Sequence, residues 1–312
     1  MPPVIAPLTG HLDMALTQFA KRFSQNGLIS DLLAPRVSVG RQTDKYFIFG
    51  REDQELTEQQ LRATGAPAQR IRRSLSTDSY FCRSHALAAD IADEDRAGYA
   101  DAGDLEQDST QALMAKILLQ KEDELATMLT DTAQVTNNTT LAGVSQWSDY
   151  GNSKPGTDVE TAKSLVRKSG VRPNVMVVGD DVYTQLIAHP ALADRFKYVQ
   201  RGSLNEQDLA AYFGVDQFLV ARAVKVSAGT PGFVWGKHAL VAYVSPSTSR
   251  EDISAAKSFV WDSAPGTAGG IGVVTGRNPE PTAKADIVGV DFYYQQKITA
   301  VETIYLIKNA VA

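Results

Sequence analysis

Four histidines (His11, His85, His189 and His238), one cysteine (Cys82) and an adjacent carboxylate pair (Asp180, Asp181) are the residues whose types could support metal, nucleophilic or acid–base chemistry. Their spacing supports none of it. No His-Glu-x-x-His pattern occurs, and Cys82 with His85 supplies two ligands where a structural zinc needs four. The Gly-x-Ser-x-Gly elbow of serine hydrolases is missing. Gly236-Lys237 is followed by His238, where a phosphate-binding loop needs a hydroxyl for magnesium. Gly269-Gly270-Ile271-Gly272-Val273-Val274-Thr275-Gly276 resembles a phosphate cradle, but it is one residue too long for the dinucleotide fingerprint. It also follows Pro265-Gly266 rather than a buried strand, so a tightly turned loop is the better reading. Asp180 and Asp181 stand where a helix begins, and there they complement its dipole. No catalytic, cofactor-binding or metal-binding residue is assigned.

The charges that do group lie between Asp44 and Ala100. An acidic limb of Glu52, Asp53, Glu55 and Glu58 precedes a basic limb of Arg62, Arg70, Arg72 and Arg73. Tyr46-Phe47-Ile48-Phe49 enters the segment and Tyr80-Phe81-Cys82 leaves it, both strand-like, with Gly65-Ala66-Pro67 as a plausible tip. Structureless connections longer than about 12–15 residues are uncommon in compact domains. This one lacks an apolar interior, so it is expected to find its partner on another chain. A charge run is by default a solvated face. Here like charges are grouped limb by limb, so one limb can meet the opposite limb, or an opposite patch, of a neighbouring copy. These eight residues are the candidate inter-subunit contacts.

Composition sets the bounds. With 312 residues, 43% of them hydrophobic, the chain can bury a substantial core, and its length suggests about two domains. The net charge of −5, without a basic tail, argues against a sequence-independent grip on nucleic acid. A single cysteine excludes an internal disulfide and suits a reducing compartment. No charged region followed by an apolar core opens the sequence, and no run of about 18 apolar residues occurs, so neither export nor a membrane span is expected.

The elements around these residues read as a mixed α+β chain. Leu12, Leu16, Phe19 and Phe23 recur at helical spacing, either as part of an arm or as a docked N-terminal helix. A long helix is expected over Asp104–Thr132, with Asp104 and Gln107 as a capping box and a stripe through Leu113, Met114, Ile117, Leu118, Leu125, Met128 and Leu129. Lys121, Glu122, Asp123 and Glu124 interrupt that stripe and are expected to face solvent. Val175-Met176-Val177-Val178 reads as a strand buried on both faces. Asn205 with Asp208 starts a short helix that Gly214 stops. From Gln217 onward short strands dominate, ending in two β-rich runs, 287–294 and 298–308.

In its order of parts the chain resembles the major capsid proteins of tailed double-stranded DNA bacteriophages, the Hong Kong 97-like fold. The resemblance rests on the arm, the long excursion, and a spine helix carrying Leu118-Leu119-Gln120-Lys121-Glu122-Asp123-Glu124-Leu125. It continues through Arg172-Pro173-Asn174-Val175-Met176-Val177-Val178-Gly179, then Phe233-Val234-Trp235-Gly236-Lys237-His238-Ala239-Leu240-Val241-Ala242-Tyr243 and the returning C-terminal strand. It implies an N-terminal arm (1–45), an extended loop (46–100) lying over the neighbouring subunit, and a peripheral domain with the spine helix (101–170). An axial domain (171–284) and C-terminal strands returning to the peripheral domain (285–312) complete it. It further implies a structural protein, not an enzyme, that self-assembles as hexamers and pentamers into an icosahedral virion capsid, put together in the host cytoplasm. Packaged DNA is enclosed without specific binding. Other copies and a portal are the partners, with separate scaffolding or decoration proteins or none, and with no membrane and no cofactor. Some members cross-link through a lysine of the extended loop. None occurs here between Lys45 and Lys116, so no such bond is expected. The alternatives are an encapsulin-type nanocompartment shell on the same fold and, from another class, a nucleotide-binding enzyme using the 269–276 loop.

Overall fold

A computed structural model describes residues 11–22, 27–48, 64–65, 67, 76–98, 102–196, 204–227, 229–250, 252–278 and 284–312. The chain begins with β1 (His11–Leu12), α1 (Met14–Arg22), α2 (Ser30–Leu33), β2 (Arg36–Val39), β3 (Thr43–Ile48), β4 (Ser76–Phe81), β5 (Arg83–Ala92) and α3 (Asp93–Gly98). It then runs through α4 (Ala102–Thr130), β6 (Asn138–Thr140), α5 (Pro155–Arg167), β7 (Val175–Gly179), α6 (Asp180–Ala188), α7 (Pro190–Phe196) and α8 (Glu206–Phe213). Strands follow: β8 (Gln217–Ala221), β9 (Val224–Ser227), β10 (Thr230–Phe233), β11 (Ala239–Ala242), β12 (Ala256–Trp261), β13 (Ile271–Arg277), β14 (Ala285–Ile298) and β15 (Ile304–Lys308).

The apolar runs explain the first layer. In the five-stranded sheet, ordered β6-β15-β11-β7-β8, alternate residues of each central strand go to opposite faces. Met176, Val178, Val241 and Ile307 meet the helices α5, α6, α7 and α8 through Val159, Val166, Val182, Leu186, Leu192, Leu209 and Phe213. Val175, Val177, Leu240, Ile304 and Leu306 face the other way, against Leu125, Ala126 and Leu129 of α4 and Leu33 of α2. Both faces are covered, which is why these strands read as continuous apolar runs rather than alternating ones. Local capping follows the sequence at α8: Asn205 Oδ1 accepts from the Asp208 backbone N–H at 2.8 Å, and Gly214 ends the helix at φ 63°.

The second layer is a six-stranded sheet ordered β1-β13-β14-β12-β2, with β5 also on β14. Residues 286–292 of β14 pair with β13 and with β5, while Tyr294 pairs with Val260 of β12 and with Arg83 of β5. A strand has two edges, so β12 and β13 lie one after the other along the same edge, and residues 262–270 bulge out between them. The expected turned loop at 269–276 is therefore mostly strand, and among the described residues no helix follows it to cradle a phosphate. Gly270 and Gly272 sit at this junction because a Cβ would meet Val260 Cγ1 at 2.4 Å and the Gly266 carbonyl oxygen at 2.2 Å.

Helix α4 joins the layers. Its 29 residues span about 43 Å at 1.5 Å per residue. Leu113, Met114, Ile117 and Leu118 pack on Val273, Val290, Phe292 and Tyr294 of the six-stranded sheet, and its C-terminal half packs on the five-stranded one. It runs Ala102–Thr130 rather than the expected 104–132, stopping where Asp131 Oδ1 accepts from the Ala133 N–H and turns the chain.

The stretch 171–284 supplies β7, β8 and β11 to one sheet and β12 and β13 to the other, and the stretch 285–312 supplies one strand to each. The chain passes between layers at 243–255 and 299–303. Within 46–100, ten residues of β5 pair with β14 although most of their side chains are exposed, so backbone pairing rather than apolar burial holds them.

Candidate functional site

The part of the charged excursion nearest the body is a two-stranded sheet, β3 with β4, in the register Thr43↔Phe81 to Ile48↔Ser76. One face carries Tyr46, Tyr80 and Asp78. Tyr80 stacks on Phe259 at 4.7 Å, Tyr46 tilts against the same ring at 5.2 Å, and the Tyr46 hydroxyl donates to Asp78 Oδ2 at 3.0 Å. Burial, then Asp78, raises the Tyr46 pKa, so the hydroxyl keeps its proton. Cys82 lies beneath, its Sγ 3.5 Å from the Phe259 carbonyl oxygen, and burial pushes its thiol up to about 11. The opposite face, with Thr43, Lys45, Thr77, Ser79 and Phe81, is exposed. A pair of strands with one polar, exposed face cannot stand alone in water. Phe259 and β14 hold its root, where the Phe81 N–H donates to Gln295 Oε1 at 2.6 Å.

The second functional feature is a buried ionic cluster on the spine helix, where solvated charges were expected. Lys121 and Glu122 are both fully buried. Glu122 Oε2 accepts from the Ile29 N–H at 3.1 Å and the Ser30 N–H at 2.7 Å, and Oε1 accepts from Trp235 Nε1 at 2.6 Å. A side chain 92 residues distant thus caps the N-terminus of α2 and complements its dipole. Lys121 Nζ bonds Asp31 Oδ1 at 2.5 Å and lies over the Phe292 and Tyr294 rings at 5.6 and 5.7 Å. Burial alone would raise the Asp31 carboxyl, but the Arg36 bond and the Lys121 charge outweigh it and hold it at about 2. The Lys121 pKa is lowered as well, because there burial outweighs the pull of Asp31. The signal was present in the spacing: 118, 121, 125 and 118, 122, 126 continue the buried stripe, and a charge on a stripe position is a buried charge.

The eight predicted contact residues, Glu52, Asp53, Glu55, Glu58, Arg62, Arg70, Arg72 and Arg73, lie outside the described residues. Cys82 and His85 have separate surroundings. His85 stacks on Tyr294 at 4.1 Å, and among the described residues no group of three His, Cys, Asp or Glu side chains is placed to hold a metal. His189 is buried, bonded to Ser153 Oγ at 3.0 Å and accepting from the Ala191 N–H. His238 Nδ1 accepts from the Asn309 N–H at 3.1 Å. Asp180 and Asp181 occupy the first turn of α6 as expected, and Asp180 pairs with Arg222 at 3.3 Å. Gly236 and Gly179 are a close backbone approach: a Cβ on Gly179 would meet the Gly236 carbonyl oxygen at 1.9 Å. Among the described residues no helix is long and apolar enough to cross a membrane.

Residues 105–237 match the family described as phage major capsid protein E. The chain is 29% identical over 244 residues to the major capsid protein of Burkholderia phage BcepMu, covering 75% of this chain and 76% of that one. It is 25% identical over 249 residues to the major capsid protein of Pseudomonas phage JBD67, covering 74% and 77%. Among solved structures, a phage-related protein from Bordetella bronchiseptica RB50 matches with a TM-score of 0.79 and 28% identity over 96% of this chain and 98% of that one. An encapsulin complex from Synechococcus elongatus PCC 7942 matches with a TM-score of 0.53 and 15% identity over 95% of each chain, a likeness of fold alone.

Proposed function

We infer that this chain is a phage major capsid protein of the Hong Kong 97-like α+β fold, whose copies assemble as hexamers and pentamers into an icosahedral shell around packaged double-stranded DNA. The observation that carries this reading is the sequence likeness to phage major capsid proteins. Curated phage capsid proteins align over three quarters of the chain, whereas the encapsulin shares its fold without sequence likeness at that level. The protein is structural and belongs in the virion capsid, with assembly in the host cytoplasm.

The extended loop does the joining in this reading. Its root, β3 and β4, is fixed to the body on Phe259, and the stretch between Ile48 and Ser76 lies over the neighbouring subunit with its acidic and basic limbs. Exposed charge pairs contribute only about 0–1 kcal/mol each, so many repeated contacts supply the stability of the shell. A portal and separate scaffolding or decoration proteins are the further partners that such a shell calls for. The net charge of −5 lets DNA be enclosed and released without a specific grip.

Light scattering and negative-stain microscopy of the purified protein test the reading: closed shells in the megadalton range are expected. Nuclease-resistant DNA in particles from infected cells supports the capsid, and protein cargo in a small uniform shell points to the encapsulin. A chain that stays monomeric at every concentration and binds a nucleotide in calorimetry refutes both. Reversing Arg70, Arg72 and Arg73 to glutamate is expected to block shells while leaving the subunit folded, and normal shells from that variant remove the loop's assigned role.

A further inference from the structure

Strands β9 and β10 form a two-stranded ribbon apart from both sheets, in the register Val224↔Phe233, Lys225↔Gly232, Val226↔Pro231 and Ser227↔Thr230. Cross-strand partners share a face, and residues two apart share a face. One side therefore carries Val224, Val226, Pro231 and Phe233, and the other Lys225, Ser227, Thr230 and Gly232. On the polar side Lys225 Nζ bonds Asp123 Oδ1 of α4 at 2.5 Å while Ser227, Thr230 and Gly232 are exposed, and on the apolar side Val224, Val226 and Pro231 are exposed and Phe233 is half-buried. Val226 is 70% exposed and Val224 46%. The ribbon's feet are fixed, since Ala223 and Trp235 are buried and the Val234 N–H donates to the Ala223 carbonyl at 2.9 Å. A small apolar face held rigidly outward is a contact surface awaiting a partner.

We propose that the apolar face of the β9–β10 ribbon docks on a second copy of this chain, at the β6 edge of its five-stranded sheet, where Val144 stands exposed. The proposal rests on the shell-building reading above. Two observations select this occupant. The ribbon directly follows β8, one edge strand of the sheet, while the turn Gly143–Ser145 directly follows β6, the opposite edge strand. Val144 in that turn is 65% exposed, and the turn is tied down by Gln146 Nε2 donating to the Asn309 and Val311 carbonyls. Different patches on opposite edges of one sheet make a head-to-tail contact, the kind that closes copies into a ring. The size agrees. Four such side chains present on the order of a few hundred Å², well short of the about 800 Å² per partner of a stable pair. A lone dimer would not hold on this face, whereas a ring in which each copy gives and receives the contact can.

Val226→Asp tests the surface, because an exposed side chain can change without unfolding the subunit. The expected result is an unchanged melting temperature with the concentration needed for shell assembly raised about tenfold or more. Shells forming at the wild-type concentration overturn the proposal, including the case in which they merely fail to take up a second protein. Wild-type chain that forms no shells sinks the capsid reading instead, so the two failures are distinct. The pair Val226→Cys with Val144→Cys, oxidised after assembly, gives an independent readout, since the native Cys82 is buried. Covalent multimers joined between positions 226 and 144 of different copies support the contact, and shells without that link overturn it.

Discussion

Replacing Glu122 with glutamine keeps the shape of the side chain and removes its charge, which makes it a sharp test of how the N-terminal segment is held to the spine helix. The carboxylate accepts three hydrogen bonds, from Ile29, Ser30 and Trp235, using both oxygens. A carboxamide has one accepting oxygen, so at least one of these buried donors must face an NH2 group. Bonds to a charged acceptor contribute about 1.5–3 kcal/mol each, against about 0.5–1.5 for neutral ones. Losing one outright and weakening the others gives an expected destabilisation of about 2–4 kcal/mol. For a chain of this size that is a drop in Tm of roughly 4–8 °C, at about 2 °C per kcal/mol. Lys121→Met is the control. Its buried ammonium gains from Asp31 and two rings but loses hydration, and removing it leaves no uncompensated buried charge, because Asp31 is 44% exposed and keeps Arg36 at 2.6 Å. That variant is expected within about 1 kcal/mol of the parent. The assay is thermal unfolding of unassembled subunits at low concentration, with indole fluorescence following the loss of Trp235's partner. Wild-type stability for Glu122→Gln, or equal losses for both variants, would refute the reasoning that Glu122 is a remote cap and Lys121 a tolerated buried ion.

Asp31 gives a pH signature: its folded pKa of about 2 lies below the ordinary 3.8, so its contribution is complete above pH 4 and is lost as pH falls through 2. With 44% of its side chain exposed, screening reduces that contribution to about 1 kcal/mol, and Asp31→Asn should flatten the acid limb of the stability curve by that amount. Gly179→Ala should cost about 3 kcal/mol or more, read as loss of soluble folded subunit, because its Cβ would meet a backbone oxygen of the Gly236 turn that has no room to shift. Asp286 joins Arg96 of α3 at 2.6 Å and Arg277 at 3.1 Å, and Arg96 also holds Glu106 of α4 at 2.6 Å, which ties both helices to the six-stranded sheet. Asp286→Asn should cost about 1 kcal/mol at low salt and distinctly less in about 1 M salt, measured as urea midpoints.

Much of the chain was legible where a local rule decides the outcome. Val175 to Val178 read as a doubly buried strand and are one, because four adjacent apolar residues leave no face for water. Asn205, Asp208 and Gly214 mark a helix whose caps form within their own turns. The resemblance to phage capsid proteins, carried by the order of arm, excursion, spine helix and strands, agrees with the comparisons of sequence and of fold. Reading failed where the partner is distant. Lys121 and Glu122 looked solvated by residue type, yet Asp31, Ile29 and Trp235, remote in sequence, bury and satisfy them. Residues 269–276 looked like a glycine loop, but β14 supplies the ladder that makes a strand from Ile271 onward.

Sequence alone determined the periodic elements, the acidic balance and the length of the helix that became the spine, since composition is fixed by residue type and each element by residues within a few turns of one another. Only the tertiary structure decided which charges are buried, which strands share a sheet, and which apolar residues are left facing outward on the β9–β10 ribbon. Those outcomes depend on pairs of residues tens to hundreds of positions apart, and hydrogen bonding and burial between them are set by where the layers meet rather than by any local pattern.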